Sequence, residues 1–374
     1  MTAALLTGHG GPDKLEVRDD VEVPATGPGQ VLIEVAAAAV NTTDVWTREG
    51  AYGSPEDPDA VAGWQGVALD FPRIQGGDVA GRVVAVGEAV AQTWVGCRVV
   101  VDPTFYAEDG PELTLTAVLG SELDGGFAQY LAVAVEQVHD VTDSPLTDAQ
   151  LACLPIAYGT AAGMLDRSGL RAGERVLVTG ASGGVGLALV QLARARGATV
   201  VALTRAAHAE LLIEEGAHRT VSRDASAIPD ASAIPDASAT PDTSATNKTP
   251  ATTTLAKQIR DAAGGAVDVV ADVVGGWALE QLLDVLAPGG RWVTCGAVAG
   301  PVVRLDLRVL YLHRRQLIGS TMHTPDQFAR LVEDARQGRI RPRVARTYPL
   351  TQIQAAQADL AAGDDVGKLV LLPA

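Results

Sequence analysis

The chain has 374 residues, enough for two domains each with its own core, and 47% apolar with 20% charged residues is the balance of a globular protein. Its 29 basic and 45 acidic side chains leave a formal charge of −16, which argues against nucleic acid or an anionic membrane surface as partner. No apolar run is long enough to span a bilayer, and the N-terminal MTAALLTGHGG lacks the charged and apolar regions of a signal peptide, so a soluble, cytoplasmic protein acting on a small molecule is expected.

Strand signals come first, at 15–17 and 30–37, with a Pro/Gly-rich turn at 24–29 between them. Asn41-Thr42-Thr43-Asp44 then breaks the pattern and reads as a turn or an N-cap. Trp46, Arg48 and Tyr52 follow, ahead of a Pro- and Asp-rich loop at 54–59. Further strands are expected within 76–87, 97–101 and 125–135; many short strands with glycine turns read as a compact β-barrel.

From Thr147 the texture turns helical, with helices expected at 148–153 and 159–168. Residues 174–205, ERVLVTGASGGVGLALVQLARARGATVVALTR, then form a complete strand, glycine turn, helix and second strand, the frame in which a Gly-rich turn binds a dinucleotide pyrophosphate. Gly183 lets the main chain approach the phosphates, Gly186 lets the helix sit close on the strand, and the helix start offers unpaired N–H groups to an anion. Ala181 stands where the common fingerprint has its first glycine. NAD sites usually carry an acidic residue about 20 positions past the glycines. Here Thr204 and Arg205 occupy that place with His208 beyond, so NADPH is favoured, Arg205 pairing with the 2′-phosphate.

The α/β alternation resumes at 206–215, 218–221, 255–263, 267–273, 276–286 and 291–295, the rhythm of a doubly wound parallel sheet. It is interrupted at 224–254 by a drifting DASAIP repeat, too poor in apolar side chains to fold, expected as a disordered surface insert. After a strand at 316–321, a helix capped at Thr324, and strands at 342–348 and 368–372 around a helix at 350–361, the last residues are expected to rejoin the N-terminal domain. The boundaries expected are 1–145 with 317–374, and 146–316. Cys97, Cys153 and Cys295 form no C-x-x-C pair and read as small buried residues. His9, His139, His218, His313 and His323 have no ligand-like spacing and read as structural.

The segments NTTD (41–44), Arg48-x-Gly50-x-Tyr52, GGDVAGRVVAVG (76–87), GGFAQY (125–130), VTGASGGVG (178–186), DVVADVVGG (268–276) and VGKLVL (366–371) together resemble the medium-chain dehydrogenase/reductases, in particular the zinc-independent branch similar to quinone oxidoreductases. The resemblance spans nearly the whole chain. It implies a GroES-like β-barrel catalytic domain beside a Rossmann domain, an active site in the cleft between them, and a homodimer. Zinc-dependent members carry Cys in the Asn41–Asp44 region and Gly-His-Glu at Gly77-Asp78; this chain has neither, so no metal is expected and alcohol oxidation is disfavoured. Trp46 stands where the quinone reductases often have Tyr, and the 54–73 loop is longer than usual.

The chemistry implied is hydride transfer to a quinone or an α,β-unsaturated carbonyl. By resemblance, Tyr52 matches the tyrosine that the enoyl reductases use and would donate to the carbonyl oxygen; Asn41 is the second catalytic candidate, an amide donor to substrate or nicotinamide. Asp44 is expected to order the loop or helix start rather than act on substrate, and Arg48 reads equally as a motif residue or a plain solvent-facing cation. The cofactor set is Ser182, Gly183, Gly184, Val185, Gly186, Thr204, Arg205 and His208, with Thr160 and Gly296.

Overall fold

A computed structural model describes residues 1–373 apart from 55, 56, 58, 108–113 and 224–249. Most of the expected insert therefore lies outside the described residues. Its last part does not: the helix Pro250–Ala263 already runs through 250–254, where loop was expected.

Two compact units emerge, Met1–Gly159 with Met322–Ala374, and Thr160–Thr321. Both crossings fall later in the chain than the sequence suggested, for a local reason in each case. Residues 146–159 are tied to the first unit: Arg98 bonds Asp148 (2.5 Å) and the Leu146 carbonyl (2.6 Å), and the Ile156 N–H donates to Asp78 (2.6 Å). Residues 317–321, expected to rejoin the first unit, instead stay with the second, where Gln316–Gly319 is a strand parallel to Leu286–Thr294.

The first unit is built on one long strand, Gln30–Ala39, whose apolar residues alternate inward. It pairs antiparallel with Asp78–Val86, Tyr130–Ala134 and Lys368–Leu372, so the C-terminal tail is a structural strand of the N-terminal unit. Ile33, Val35, Val79, Phe127, Leu131 and Leu369 share its core, each worth about 1.5–3 kcal/mol on burial. The registers Ala39↔Asp78 and Val370↔Ala39 bring Asp78 and Lys368 to the two flanks of the strand end that leads into Asn41.

The second unit holds a six-stranded sheet in the order Arg219–Ser222, Thr199–Thr204, Arg175–Val178, Val267–Asp272, Leu286–Thr294, Gln316–Gly319, with every neighbouring pair parallel. Its central strands are apolar on both faces, as a sheet covered by helices requires. Pro288-Gly289-Gly290, expected to precede a strand, lies inside Leu286–Thr294, which opens with a bulge against Val267–Asp272. In such sheets ligands bind outside the carboxyl ends of the strands; here Val178, Thr204, Asp272 and Thr294 mark that edge. Among the described residues no helix is long and apolar enough to cross a membrane.

Candidate functional site

At the end of Arg175–Val178 the chain turns through Gly180, whose φ of +56° suits glycine. The tight turn is thus supplied one residue before Ala181, which is fully buried. A Cβ on Gly186 would lie 2.1 Å from the Gly180 carbonyl, so the helix Gly184–Ala195 can seat on the turn only with glycine there, as the spacing predicts. A Cβ on Gly183 would meet only the Gly180 oxygen at 3.5 Å, which leaves that face of the turn open. The first helical bond runs from the Leu187 N–H to Gly183 (2.8 Å); the N–H groups of Gly184, Val185 and Gly186 precede it, with no side-chain cap and half-buried Ser182 alongside. That is an anion site of backbone origin.

The next strand end carries four polar groups. Thr204 and His208 are both more than nine-tenths buried, yet among the described residues Thr204 Oγ1 and His208 Nδ1 have no hydrogen-bond partner. A buried polar atom left unmatched costs about 1–3 kcal/mol, so the pair gains by any ligand that can bond to it. Half-buried Arg205 lies between them in sequence. Arg223 joins it from the neighbouring strand end, its N–H bonded to the Thr204 carbonyl (2.8 Å). Burial and the adjacent Arg205 hold the Arg223 guanidinium below its usual value. Two arginines therefore stand beside these two polar atoms at the strand end. The sequence reading missed Arg223, whose chance to meet Arg205 arises only from the pairing of Thr199–Thr204 with Arg219–Ser222.

Asp272 organises the remaining strand ends. Fully buried, it accepts from Thr179 Oγ1 (2.5 Å), the Val274 N–H (2.9 Å), the Gly275 N–H (3.2 Å) and Trp292 Nε1 (3.1 Å). Burial pushes its carboxyl up despite those bonds. Gly296 follows the end of Leu286–Thr294, where a Cβ would sit 2.8 Å from the Val273 carbonyl. Thr160, buried at the start of the helix Gly159–Arg167, opens this unit.

In the first unit, of the two readings of 41–44, turn or N-cap, the N-cap holds: Asn41 caps a helix, Thr42–Glu49. Asp44 returns the cap, accepting from the Asn41 N–H at 2.7 Å. Gly50 ends the helix in the left-handed region (φ 69°), and the Ala51 N–H bonds back to the Trp46 carbonyl (2.9 Å). The chain thereby doubles back along the helix face that carries Thr43 and Trp46, three residues apart. Tyr52 packs edge-on to Trp46 (centroids 5.6 Å apart, 63°), and its hydroxyl lies 2.5 Å from Thr43 Oγ1. Burial, with Asp44 and Glu122 nearby, pushes the phenol up to about 12, so it is a proton-bearing donor at neutral pH.

Asn41, expected as an amide donor to substrate or nicotinamide, is engaged otherwise. Its amide N–H groups donate to Asp78 (2.8 Å) and the Ala39 carbonyl (3.3 Å), and its carbonyl accepts from Lys368. Lys368, 5% exposed, donates also to the Val40 carbonyl (2.8 Å) and to Asp78 (3.0 Å), so all three ammonium hydrogens are used. Asn41 is thus the knot of a buried ion pair and positions the helix that holds Thr43. Burial is also the main force on Asp44, opposed by the Asn41 N–H and the Lys368 ammonium, and it pushes that carboxyl up to about 7. Arg48 does not face solvent: at 4% exposure it bonds Gln357 (2.9 Å), the Gly10 carbonyl (2.5 Å) and Glu49 (3.0 Å). His323 is structural as expected, fully buried with Nε2 2.9 Å from Asp102.

Two family models match, "Alcohol dehydrogenase GroES-like domain" over residues 27–143 and "Zinc-binding dehydrogenase" over 184–337. Mouse quinone oxidoreductase is 30% identical over 382 residues, covering 100% of this chain and 98% of its own. This chain belongs to the medium-chain dehydrogenase/reductase family. It is therefore an NAD(P)H-dependent oxidoreductase with a GroES-like domain and a Rossmann-type sheet. A putative alcohol dehydrogenase from Sinorhizobium meliloti has the same fold, at 44% identity and a TM-score of 0.88 over 100% of this chain and 97% of that one. A crotonyl-CoA carboxylase/reductase solved in complex with NADP matches at 26% identity and a TM-score of 0.79, over 100% and 94% respectively.

Some members of this dehydrogenase family hold zinc, and the residues here do not fit it. Among the described residues no group of three His, Cys, Asp or Glu side chains is placed to hold a metal ion. Asp78, the one carboxylate where the metal-binding members carry Gly-His-Glu, is committed to Lys368, Asn41 and the Ile156 N–H. Cys153 is a protonated thiol, pushed up to about 12 by burial.

Proposed function

We propose that the protein is an NADPH-dependent reductase of quinones or α,β-unsaturated carbonyl compounds that works without a metal. The observation that carries this reading is the Tyr52 phenol, held protonated and half-buried at the open end of a helix whose neighbouring polar cluster is closed by Lys368 rather than by metal donors. A reduced nicotinamide supplies the hydride. Hydride addition to an enone or quinone leaves negative charge on the substrate oxygen, and Tyr52 stabilises it by donating its O–H. Asn41, Asp78 and Lys368 hold the helix start, and Asp44, its carboxyl pushed up to about 7 by burial, is only partly charged at neutral pH.

NADPH rather than NADH is supported by the adenosine end. There Arg205 takes the 2′-phosphate as a bidentate partner, Arg223 adds a second positive charge, and Thr204 Oγ1 and His208 Nδ1 complete their bonding on the ribose phosphate. Replacing Arg205 with alanine raises the Kd for NADPH about 10- to 100-fold, the loss of one hydrogen-bonded charge contact, while NADH changes by less than about threefold. Titration of nucleotide fluorescence reads both. Equal losses for the two nucleotides remove Arg205 from the 2′-phosphate site.

A further inference from the structure

Tyr52 and Thr43 share one short contact, Oγ1 to OH at 2.5 Å, and among the described residues neither hydroxyl has another hydrogen-bond partner. Each carries one hydrogen, and only one of the two hydrogens can lie in that contact. The other is free. Thr43 is held by its helix, where a β-branched side chain has few rotamers, and the phenol plane is held by Trp46. Both residues are half-buried, so the free hydrogen can meet a substrate oxygen.

We propose that Thr43 is a positioning residue for the reaction: it donates its Oγ1 hydrogen to the Tyr52 oxygen, which turns the phenol hydrogen toward the substrate and stabilises the phenolate left behind. The inference rests on the reading of Tyr52 as donor to the substrate oxygen. As hydride from the reduced nicotinamide adds to the β-carbon of an enone, the C=C pair forms a double bond from the α-carbon to the carbonyl carbon and the C=O π pair moves to the oxygen. The Tyr52 O–H bond then breaks and its proton passes to that oxygen. The phenol oxygen keeps the bonding pair and is held by Thr43 O–H until solvent returns a proton. A hydrogen bond to a charged oxygen is stronger than one to a neutral oxygen, so the Thr43 contact gains strength as charge arrives. Of the groups acting on this phenol, Asp44 and Glu122 oppose its ionisation and the Thr43 bond favours it.

The test compares Thr43→Val, Thr43→Ser, Tyr52→Phe and the Thr43→Val/Tyr52→Phe pair, with NADPH and a small enone as acceptor. Thr43→Val is expected to lower kcat roughly 10- to 100-fold with the KM for NADPH unchanged, and Thr43→Ser to stay within about threefold of the parent. In the Tyr52→Phe background the same Thr43→Val change costs nothing further, because the two hydroxyls act as one unit. A slow Tyr52→Phe with Thr43→Val at full rate, or an equal Thr43→Val loss in both backgrounds, overturns this inference and leaves Tyr52 in place. Tyr52→Phe at full rate overturns the Tyr52 reading and this inference with it.

Discussion

Tyr52→Phe is expected to lower kcat for enone or quinone reduction by about 10²–10³, the usual effect of removing one donor to an oxyanion. The ring remains, with its edge-on contact to Trp46 5.6 Å away, so the fold of the helix face and the binding of NADPH are kept. Only the hydrogen that meets the developing charge is lost. The effect should therefore appear in kcat and kcat/KM alike, the signature of an interaction made in the transition state. Steady-state rates at several NADPH concentrations measure it. An unchanged kcat removes Tyr52 from the chemistry.

Lys368→Met is expected to be the most destabilising single change in the GroES-like unit, by about 3–5 kcal/mol, because it strands a buried carboxylate. Asp78 is fully buried and would be left with only Asn41 and the Ile156 N–H as partners, while the carbonyls of Val40 and Asn41 lose their donor. Methionine fills similar volume, so the loss is electrostatic rather than a cavity. The pair Lys368→Met/Asp78→Asn should recover much of it, since neutralising both members removes the stranded charge. Urea unfolding of the three variants checks this. A Lys368→Met midpoint equal to the parent's contradicts the assigned role of the ion pair.

The parts of this protein that depend on neighbours in sequence were legible before the structure. Glycine at 186 is forced by contact with Gly180 only six residues away, and the apolar strands of the Rossmann-type unit announce themselves by composition. The catalytic-unit helix was not legible: Thr42–Glu49 is mostly polar, and Asn41–Asp44 suits a turn as well as a cap. Three further features depend on contacts across long stretches of chain. Lys368 meets Asp78 through the pairing of the C-terminal strand with Gln30–Ala39; Arg48 meets Gln357; Arg223 meets Arg205 through adjacent parallel strands. The unit boundaries moved for the same reason, since nothing local reveals that 146–159 docks on Arg98 and Asp78. The family resemblance offered Tyr52 as a candidate donor, but its contact with Thr43 emerged only once Gly50 turned the chain back along the helix.

The most direct test is to mix chelator-treated enzyme with NADPH and a panel of quinones, enones and enoyl thioesters while following nicotinamide absorbance. Rapid loss of absorbance with at least one of these classes, at a rate that added zinc does not change, is the predicted result. Failure to bind either NADPH or NADH, or turnover that appears only when zinc is restored, would contradict the account.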